Sequence, residues 1–256
     1  MLPDISLTGL LFALLILLLP LIIIVRFAPN ILRESLIAIA RLLVQLALTA
    51  VWLFWIFRLN NPLLTIVWLI VMAASASIHA SRNASIPLRK LLPSLLVAII
   101  LSGLVVGTFS FILILRPLAP LSPQWLIPIL GLMIAAMARV ASSAATAFFH
   151  NMRSGSLMLD YLLANGASHA ESVIPFARKA LSSAFSPMIS NMAALGVASL
   201  PCFIAGGLAV GVDPLVMVKY EFALIAACFS SSVLAACLAI YITGSQLFTA
   251  RHPLGE

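Results

Sequence analysis

Long uninterrupted runs of apolar residues divide this chain, and they constrain its fold more than any other feature. A helix needs about 20 apolar residues to cross the hydrocarbon core of a bilayer. Runs close to that length lie at residues 7–25, 35–57, 63–78, 91–115, 127–149, 187–210 and 220–248. Charged residues make up only 8% of the chain, against roughly a quarter in soluble domains. Because the bilayer core offers backbone groups no water, the runs predict an all-α, polytopic membrane protein of about seven transmembrane helices.

Lysine and arginine are divided unequally between the alternating connections that join these runs. One set of connections holds Arg26, Arg33, Arg82, Arg89, Lys90, Arg153, Arg178, Lys179 and Arg251. The other set holds Arg58, Arg116 and Lys219. Since cytoplasmic loops carry the excess of positive residues, the first set is predicted to be cytoplasmic. The N-terminus is then outside and the C-terminus cytoplasmic, and the longest cytoplasmic connection runs from about residue 150 to residue 186.

Motifs of catalysis and nucleotide binding are absent from the sequence. It has no HExxH, GxSxG or GxGxxG pattern. A P-loop requires a glycine directly before its lysine, and no lysine of this chain follows a glycine. We therefore predict no enzyme activity, no catalytic residue and no cofactor in this chain. No CxxC pair is present, so no metal site is predicted. The net charge is +7, but the basic residues are not interleaved with aromatic residues as they are in proteins that bind single-stranded nucleic acid. No nucleic-acid partner is therefore predicted. The histidines are interpreted as solvated residues at the cytoplasmic interface: His79, His150, His169 and His252.

A few polar residues interrupt the apolar runs, and these are the candidates for a substrate path. Arg41 and Gln45 share one face of the second predicted helix, Arg139 lies near the middle of the fifth, and Asn191 lies on the sixth. An arginine at the bilayer centre costs about 2.5–3.5 kcal/mol on insertion scales and usually faces the bundle interior. Arg41 is close enough to the cytoplasmic end to snorkel instead. No acidic residue is expected within the membrane as a partner, which favours an anion or a carrier-bound metal over a bare cation.

The longest cytoplasmic connection has the pattern of two short helices separated by a glycine turn. An apolar stretch follows Asp160, and Gly166 and Ala167 end it, because glycine tolerates the positive φ that a helix end requires. A second helix, with Pro175, leads back to the membrane. This pattern suits docking into a groove of a partner protein, with Asp160, Gly166, Ala167 and Pro175 as the predicted coupling residues. The alternative is a helix that lies on the lipid surface.

This segment resembles the coupling loop of ABC-transporter permeases, whose loose pattern is E-A-A, three residues and G. Asp160 stands at the glutamate position and Gly166 at the glycine. More specifically, the chain resembles the FetB family of bacterial iron-export permeases, which are related to plant aluminium-tolerance permeases. The matching stretches are RLLVQL at 41–46, IPILG at 127–131, LANGAS at 163–168, GVASLP at 196–201, VDP at 212–214 and KY at 219–220. The family usually carries Asn, Asp and Lys where this chain has Ala136, Ser190 and Ala193.

The resemblance implies that residues 1–256 form a single transmembrane permease domain, with a cytoplasmic coupling segment at about 150–186. It also implies a separate cytoplasmic ABC ATPase that holds ATP and Mg, and a second copy of the chain to complete the path. The expected function is export of an iron-like metal ion or a small solute across the bacterial inner membrane, where the multi-pass chain contacts lipid. Two alternatives stay open: a secondary transporter that works alone, and a structural membrane subunit without a transport path.

Overall fold

The regular structure of the chain is helical in the residues that the computed structural model describes, 7–82, 84, 88–115, 122–196 and 199–251. The helices are α1 (Leu7–Ile16), α2 (Leu18–Phe27), α3 (Leu32–Leu59), α4 (Pro62–Arg82), α5 (Leu88–Phe109), α6 (Pro123–Ser154), α7 (Ser156–Ala164), α8 (His169–Ala194), α9 (Cys202–Ala209) and α10 (Pro214–Arg251). A 3₁₀ turn, Pro29–Ile31, precedes α3, and a π-helical turn, Ser110–Leu115, extends α5. The predicted all-α fold is confirmed.

Several of these helices are long and apolar enough to cross a membrane. Within the described residues they number five: Pro29–Leu59, Pro62–Arg82, Leu91–Ile114, Pro123–Ser154 and Pro214–Ser245. They coincide with the second, third, fourth, fifth and seventh predicted spans, so the chain is a polytopic membrane protein. The total of about seven spans and the sidedness stay predictions. Arg116, which contributed to the sidedness, lies outside the described residues.

The first predicted span, residues 7–25, consists of two helices instead of one. Helix α1 ends at Ile16, and the Leu17 N–H donates to the Leu14 carbonyl at 3.1 Å before α2 begins. Pro20 then lies in the first turn of α2, where its missing N–H removes no helical hydrogen bond. In the interior of a continuous helix the same proline would remove one. The proline therefore accounts for the break.

The chain separates into two compact units, Met1–Asn60 and Asn61–Glu256. The first unit contains α1, α2 and α3, whose apolar side chains are mostly exposed, as contact with lipid requires. The second unit contains the other helices. The prediction of one permease domain over residues 1–256 stays a prediction.

Helix α6 forms the centre of the second unit, where α4, α5, α8 and α10 pack around it. Its buried face combines flexible and small side chains, including Met137 and Ala141, and α10 contributes Ala235 and Ala239 to the same cluster. Small residues let helix backbones approach closely. In lipid, whose tails are as apolar as the side chains, this close packing is what holds the helices together. At Gly107 of α5 an added Cβ would lie 3.0 Å from a methyl group of α6. Close contact with α6 therefore constrains that position.

The sixth predicted span, residues 187–210, is wrong as a single helix. Helix α8 ends at Ala194 and α9 begins only at Cys202. Gly196 has a φ of +94°, in the left-handed region, and its N–H donates to the Ser199 carbonyl at 2.9 Å. Pro201 then stands immediately before α9, where it has no N–H to continue a helix. The hydrophobic pattern indicated an apolar segment but not the interruption of the helix within it. Val197 and Ala198 of this segment lie outside the described residues.

Candidate functional site: a polar cavity and a short helix at the bundle end

The predicted coupling segment folds as a short helix, α7, held between the ends of α6 and α8. Its end shows the hydrogen bonds of a Schellman motif: the Ala167 N–H donates to the Leu162 carbonyl and the Gly166 N–H to the Leu163 carbonyl, both at 3.1 Å. Gly166 has a φ of +86°, a backbone conformation that residues with a side chain rarely adopt. Gly166 and Ala167 thus end α7 by a defined geometry. Their role in coupling, like that of Asp160 and Pro175, stays a prediction.

A capping box begins α8 directly after this turn. The Ser168 N–H donates to Glu171 Oε2 at 2.9 Å, and the Glu171 N–H donates to Ser168 Oγ at 3.3 Å. Only Ala167 and Ser168 lie between Gly166 of the first motif and the first residue of α8. The path of the chain from α7 into α8 is therefore fixed by local hydrogen bonds.

Glu171 makes the stability of this turn dependent on pH. The Ser168 hydroxyl and, to a smaller extent, the Ser168 N–H donate to its carboxylate and hold the pKa of Glu171 below its ordinary value. A depressed pKa in the folded state stabilises the protein above the unfolded value of 4.5, and that contribution is lost as the pH falls through the folded pKa. We expect the wild type to unfold at a higher temperature than Glu171→Gln at neutral pH, and the difference to vanish in acid.

Thermal unfolding of the two proteins in one detergent, from neutral pH downwards, measures this effect. Ser168→Ala, which removes the hydroxyl that contributes most, should show the same loss at neutral pH. A difference between wild type and Glu171→Gln that persists unchanged in acid would contradict the assignment.

Helix α7 has one buried and one exposed apolar side. Leu159 is fully buried in a cluster with Met152 of α6 and Phe176 of α8. On the other side Leu157 is 86% exposed and Tyr161 is 67% exposed. Exposed apolar residues grouped on one short element are typical of interaction sites. Asp160 of α7 and Pro175 of α8 are exposed as well.

A cavity of about 830 Å³ lies between α4 and α6 and contains the predicted path residue Arg139. Its lining consists of small, hydroxyl and basic side chains: Ala76, His79, Ala80, Ala135, Ala138, Arg139, Ser142, Ser143, Thr146, Ala147 and His150. On α6 these positions recur every three or four residues, so they form one stripe along the helix. The opposite face of α6 is the buried core, which explains how one helix is apolar enough to span a membrane and still presents a polar face.

The two helices are joined by a hydrogen bond at this cavity. Ser142 Oγ donates to the Ala80 carbonyl at 3.1 Å, which places His79, the neighbour of Ala80, near the level of Ser142. Arg139 precedes Ser142 by less than one turn of α6. His79 and Arg139 therefore approach the cavity from facing helices at a similar level. His150 lies eleven residues beyond Arg139, about 16 Å along the helix axis.

The cavity changes the interpretation of two histidines. His79 and His150 were interpreted as scattered, solvated residues, and both are indeed exposed, but they line the same cavity as Arg139. Their sequence separation concealed this, because only the packing of α4 against α6 brings them together. Among the residues that the structure describes, the lining has no acidic side chain. With an effective dielectric constant of about 20, a unit charge 4 Å from the guanidinium would interact by about 4 kcal/mol, attractively for an anion and repulsively for a cation.

The other predicted path residues lie on helices other than α4 and α6. Arg41 and Gln45 are exposed on α3, in the first unit. Asn191 is exposed in the last turn of α8 and is not among the residues that line the α4–α6 cavity. Their place in a substrate path stays a prediction.

One acidic residue of an apolar run was not considered. Glu221 lies on α10, seven residues after the start of the candidate span Pro214–Ser245; the expectation that no acid lies within the membrane stays a prediction. Its Oε2 is buried and has no hydrogen-bond partner among the described residues. The neighbouring Tyr220 stacks on Trp125 of α6, with ring centroids 6.1 Å apart. The signal was present, because the seventh apolar run begins at residue 220 and includes Glu221.

Among the described residues no group of three or more His, Cys, Asp or Glu side chains is arranged to hold a metal ion. The features that stand out in the described residues are the basic cavity, the Glu221 carboxylate with its buried Oε2, and the exposed side of α7.

Comparison with known proteins relates the chain to a family of membrane proteins. The uncharacterised protein family UPF0014 matches residues 7–248. The chain is 24% identical over 226 residues to the probable iron export permease protein FetB of Escherichia coli, which covers 87% of this chain and 84% of that protein. It is 23% identical over 234 residues to the membrane protein YjkA of Bacillus subtilis, with 90% of each chain covered. It is 22% identical over 222 residues to the protein ALUMINUM SENSITIVE 3 of Arabidopsis thaliana, with 86% and 80% covered. No solved structure matches.

Proposed function

We propose that this chain, which belongs to the UPF0014 family, is the membrane-spanning permease subunit of an ATP-binding-cassette exporter. The observation that carries the proposal is the position and surface of α7. Helix α6 has 32 residues and is about 48 Å long, whereas the hydrocarbon core is about 30 Å thick. An upright α6 is therefore longer than the core is thick, and we place its end with His150 and Arg153 outside the hydrocarbon, where α7 would offer Leu157 and Tyr161 to a partner.

The proposed partner is a separate cytoplasmic ATPase that holds ATP and Mg. It would take the exposed side of α7, with Asp160 and Pro175, into a groove. The buried side of α7 would pass its movement to the membrane, because Leu159 packs against both α6 and α8. Helix α6 also carries Arg139, so a push on α7 would move the wall of the polar cavity. A second copy of the chain would supply the other half of the path.

The proposed cargo is an iron-like metal ion or a small solute, and the proposed location is the bacterial inner membrane. The name of the FetB relative, a probable iron export permease, supports the metal. The bacterial relatives FetB and YjkA support the location. The basic lining of the cavity favours a metal that enters as an anionic complex over a bare cation.

The test is capture of the ATPase by the purified chain. We expect Leu157→Asp with Tyr161→Asp to abolish co-purification with the ATPase, because two charges would replace the apolar contact, while the chain still folds. Gly166→Asp should weaken capture through the strained turn. The matched control is Asn60→Asp with Asn61→Asp, which adds the same charge in the turn between α3 and α4. Asn60 has a left-handed φ that aspartate tolerates, and the Asn61 side-chain oxygen accepts the Leu63 N–H, as an aspartate oxygen also would.

ATPase capture that survives both the double aspartate variant and deletion of residues 155–175 would overturn the docking assignment. Loss of capture in the Asn60 and Asn61 control to the same extent would show that added charge alone is responsible.

A secondary transporter that works alone is the second candidate. Two observations favour it: the helix is interrupted between Ala194 and Cys202, and the buried Oε2 of Glu221 has no hydrogen-bond partner in the part of the chain that the structure describes. Broken helices and ionisable residues near the midplane are common in such transporters. Transport into liposomes driven by a proton gradient without ATP, and lost in Glu221→Gln, would favour this candidate over the first.

A further inference from the structure

We infer that the α4–α6 cavity is a binding site for an oxyanion, meaning a carboxylate or phosphate group. The inference deepens the proposed function, and its transport consequence rests on that function. It begins with the charge of the lining, since each titratable side chain there is basic: His79, Arg139 and His150. Hard cations take carboxylate and carbonyl oxygens, whereas imidazole suits iron and zinc. The described lining residues include no carboxylate, and the two histidines stand at different levels of the cavity, too far apart to hold one ion together. A bare metal ion would meet the guanidinium of Arg139 without an anionic ligand.

The hydrogen bonds of the lining leave the guanidinium available. Ser142 Oγ donates to the Ala80 carbonyl at 3.1 Å, and Thr146 Oγ1 donates to the Ser142 carbonyl at 2.8 Å, so these hydroxyl protons are engaged. Arg139 has neither a hydrogen bond nor an ion pair with the residues that the structure describes. An arginine at membrane depth requires acceptors. The planar fork of guanidinium donors matches the two oxygens of a carboxylate or phosphate.

The site is preformed because it stands on two packed helices. The hydrogen bond between Ser142 and Ala80 places His79 within about one helical turn of the level of Arg139, so the two side chains can contact one ligand from opposite walls. Alanine side chains elsewhere in the lining leave room for it. His150, about 16 Å from Arg139 along α6, stands at the far end of the cavity, where an incoming anion would pass.

The oxyanion has two possible sources, a soluble anion or the headgroup of an anionic lipid. The test uses the chain purified without any ATPase in phosphatidylcholine nanodiscs, with citrate and inorganic phosphate as probes in titration calorimetry. We expect binding that Arg139→Gln weakens by about 10- to 100-fold, the range for a hydrogen-bonded charged pair. Arg139→Lys should retain part of it. The matched control is Arg153→Gln, the same change at an exposed position of α6 outside the cavity, and it should leave binding unchanged.

A second variant keeps the test decisive if Arg139→Gln fails to fold. Ser143→Asp places a carboxylate at an exposed position of the lining and should abolish binding, whereas Ser143→Ala should retain it. Nanodiscs with phosphatidylglycerol separate the sources. Loss of citrate binding in them, together with phosphatidylglycerol that co-purifies with wild type but not with Arg139→Gln, assigns the site to a lipid headgroup. Undiminished citrate binding assigns it to a soluble anion.

The inference is overturned if neither probe binds and no anionic lipid is retained through Arg139. It is also overturned if ferrous ion alone binds and binds more tightly to Arg139→Gln. Because no ATPase is present, the outcome is independent of the docking test. A chain that binds citrate but captures no ATPase refutes only the proposed function. A chain that captures the ATPase but binds no oxyanion refutes only the cavity assignment. If the soluble anion is the ligand, a transported metal would enter as an anionic complex.

Discussion

Leu159→Ala is expected to lower the free energy of unfolding by about 2–5 kcal/mol, the range for removal of a buried leucine side chain. Leu159 is fully buried where α7 meets α6 and α8, in contact with a cluster that includes Phe148, Met152 and Phe176. The substitution would leave a cavity among rigid aromatic and helical neighbours that have little freedom to close it. Denaturation in mixed micelles, followed by circular dichroism, measures the change.

The matched control for this prediction is Leu157→Ala, two residues earlier on the same helix. Leu157 is 86% exposed, so the identical change should alter the free energy of unfolding by less than about 0.5 kcal/mol. Equal losses for the two variants would show that α7 is not attached to the bundle through Leu159. In the proposed transporter, Leu159→Ala should also retain ATPase capture at low temperature but reduce transport, because α7 would bind without moving α6.

Gly155→Ala is expected to destabilise the chain by about 1–3 kcal/mol through overpacking. Gly155 joins α6 to α7, and an added Cβ would lie 2.5 Å from Phe176 Cε1 and 3.0 Å from the Asn151 carbonyl oxygen. The Phe176 ring is buried and cannot swing into solvent without loss of its packing. The methyl group would therefore force α7 away from α8. Melting temperature in detergent and limited proteolysis at the α6–α7 junction both report this effect.

A double-mutant cycle identifies the cause. Phe176→Leu removes the ring atoms nearest to the added methyl group, so Gly155→Ala should cost clearly less in the Phe176→Leu background than in wild type. Gly206→Ala on α9 serves as the control, since an added Cβ there meets no atom within 4 Å. In a helix interior that change should be neutral or stabilising by about 0.5–1 kcal/mol. Additive effects of Gly155→Ala and Phe176→Leu would contradict the steric explanation.

The apolar runs were sufficient to predict most of the membrane helices. Five of the predicted spans have counterparts among the described helices because the signal is local: a helix in lipid must be apolar over its whole length. The glycine turn at Gly166 was also predictable, since few residues other than glycine tolerate a left-handed φ. Hydropathy alone was misleading at residues 187–210. It records how apolar a segment is, not whether Gly196 and Pro201 interrupt it.

The candidate sites were also predictable only in part from the sequence. Arg139 was recognisable from its depth in an apolar run, because burial of a charge in lipid is costly wherever the helix packs. Its companions were not recognisable. His79 and Arg139 are sixty residues apart in the chain, and only the packing of α4 against α6 makes them walls of one cavity. The same holds for α7, where one helix carries both buried Leu159 and exposed Leu157. Composition and periodicity therefore placed this chain in the bilayer, whereas contacts between distant helices determined which polar groups meet and which apolar side chains remain free for a partner.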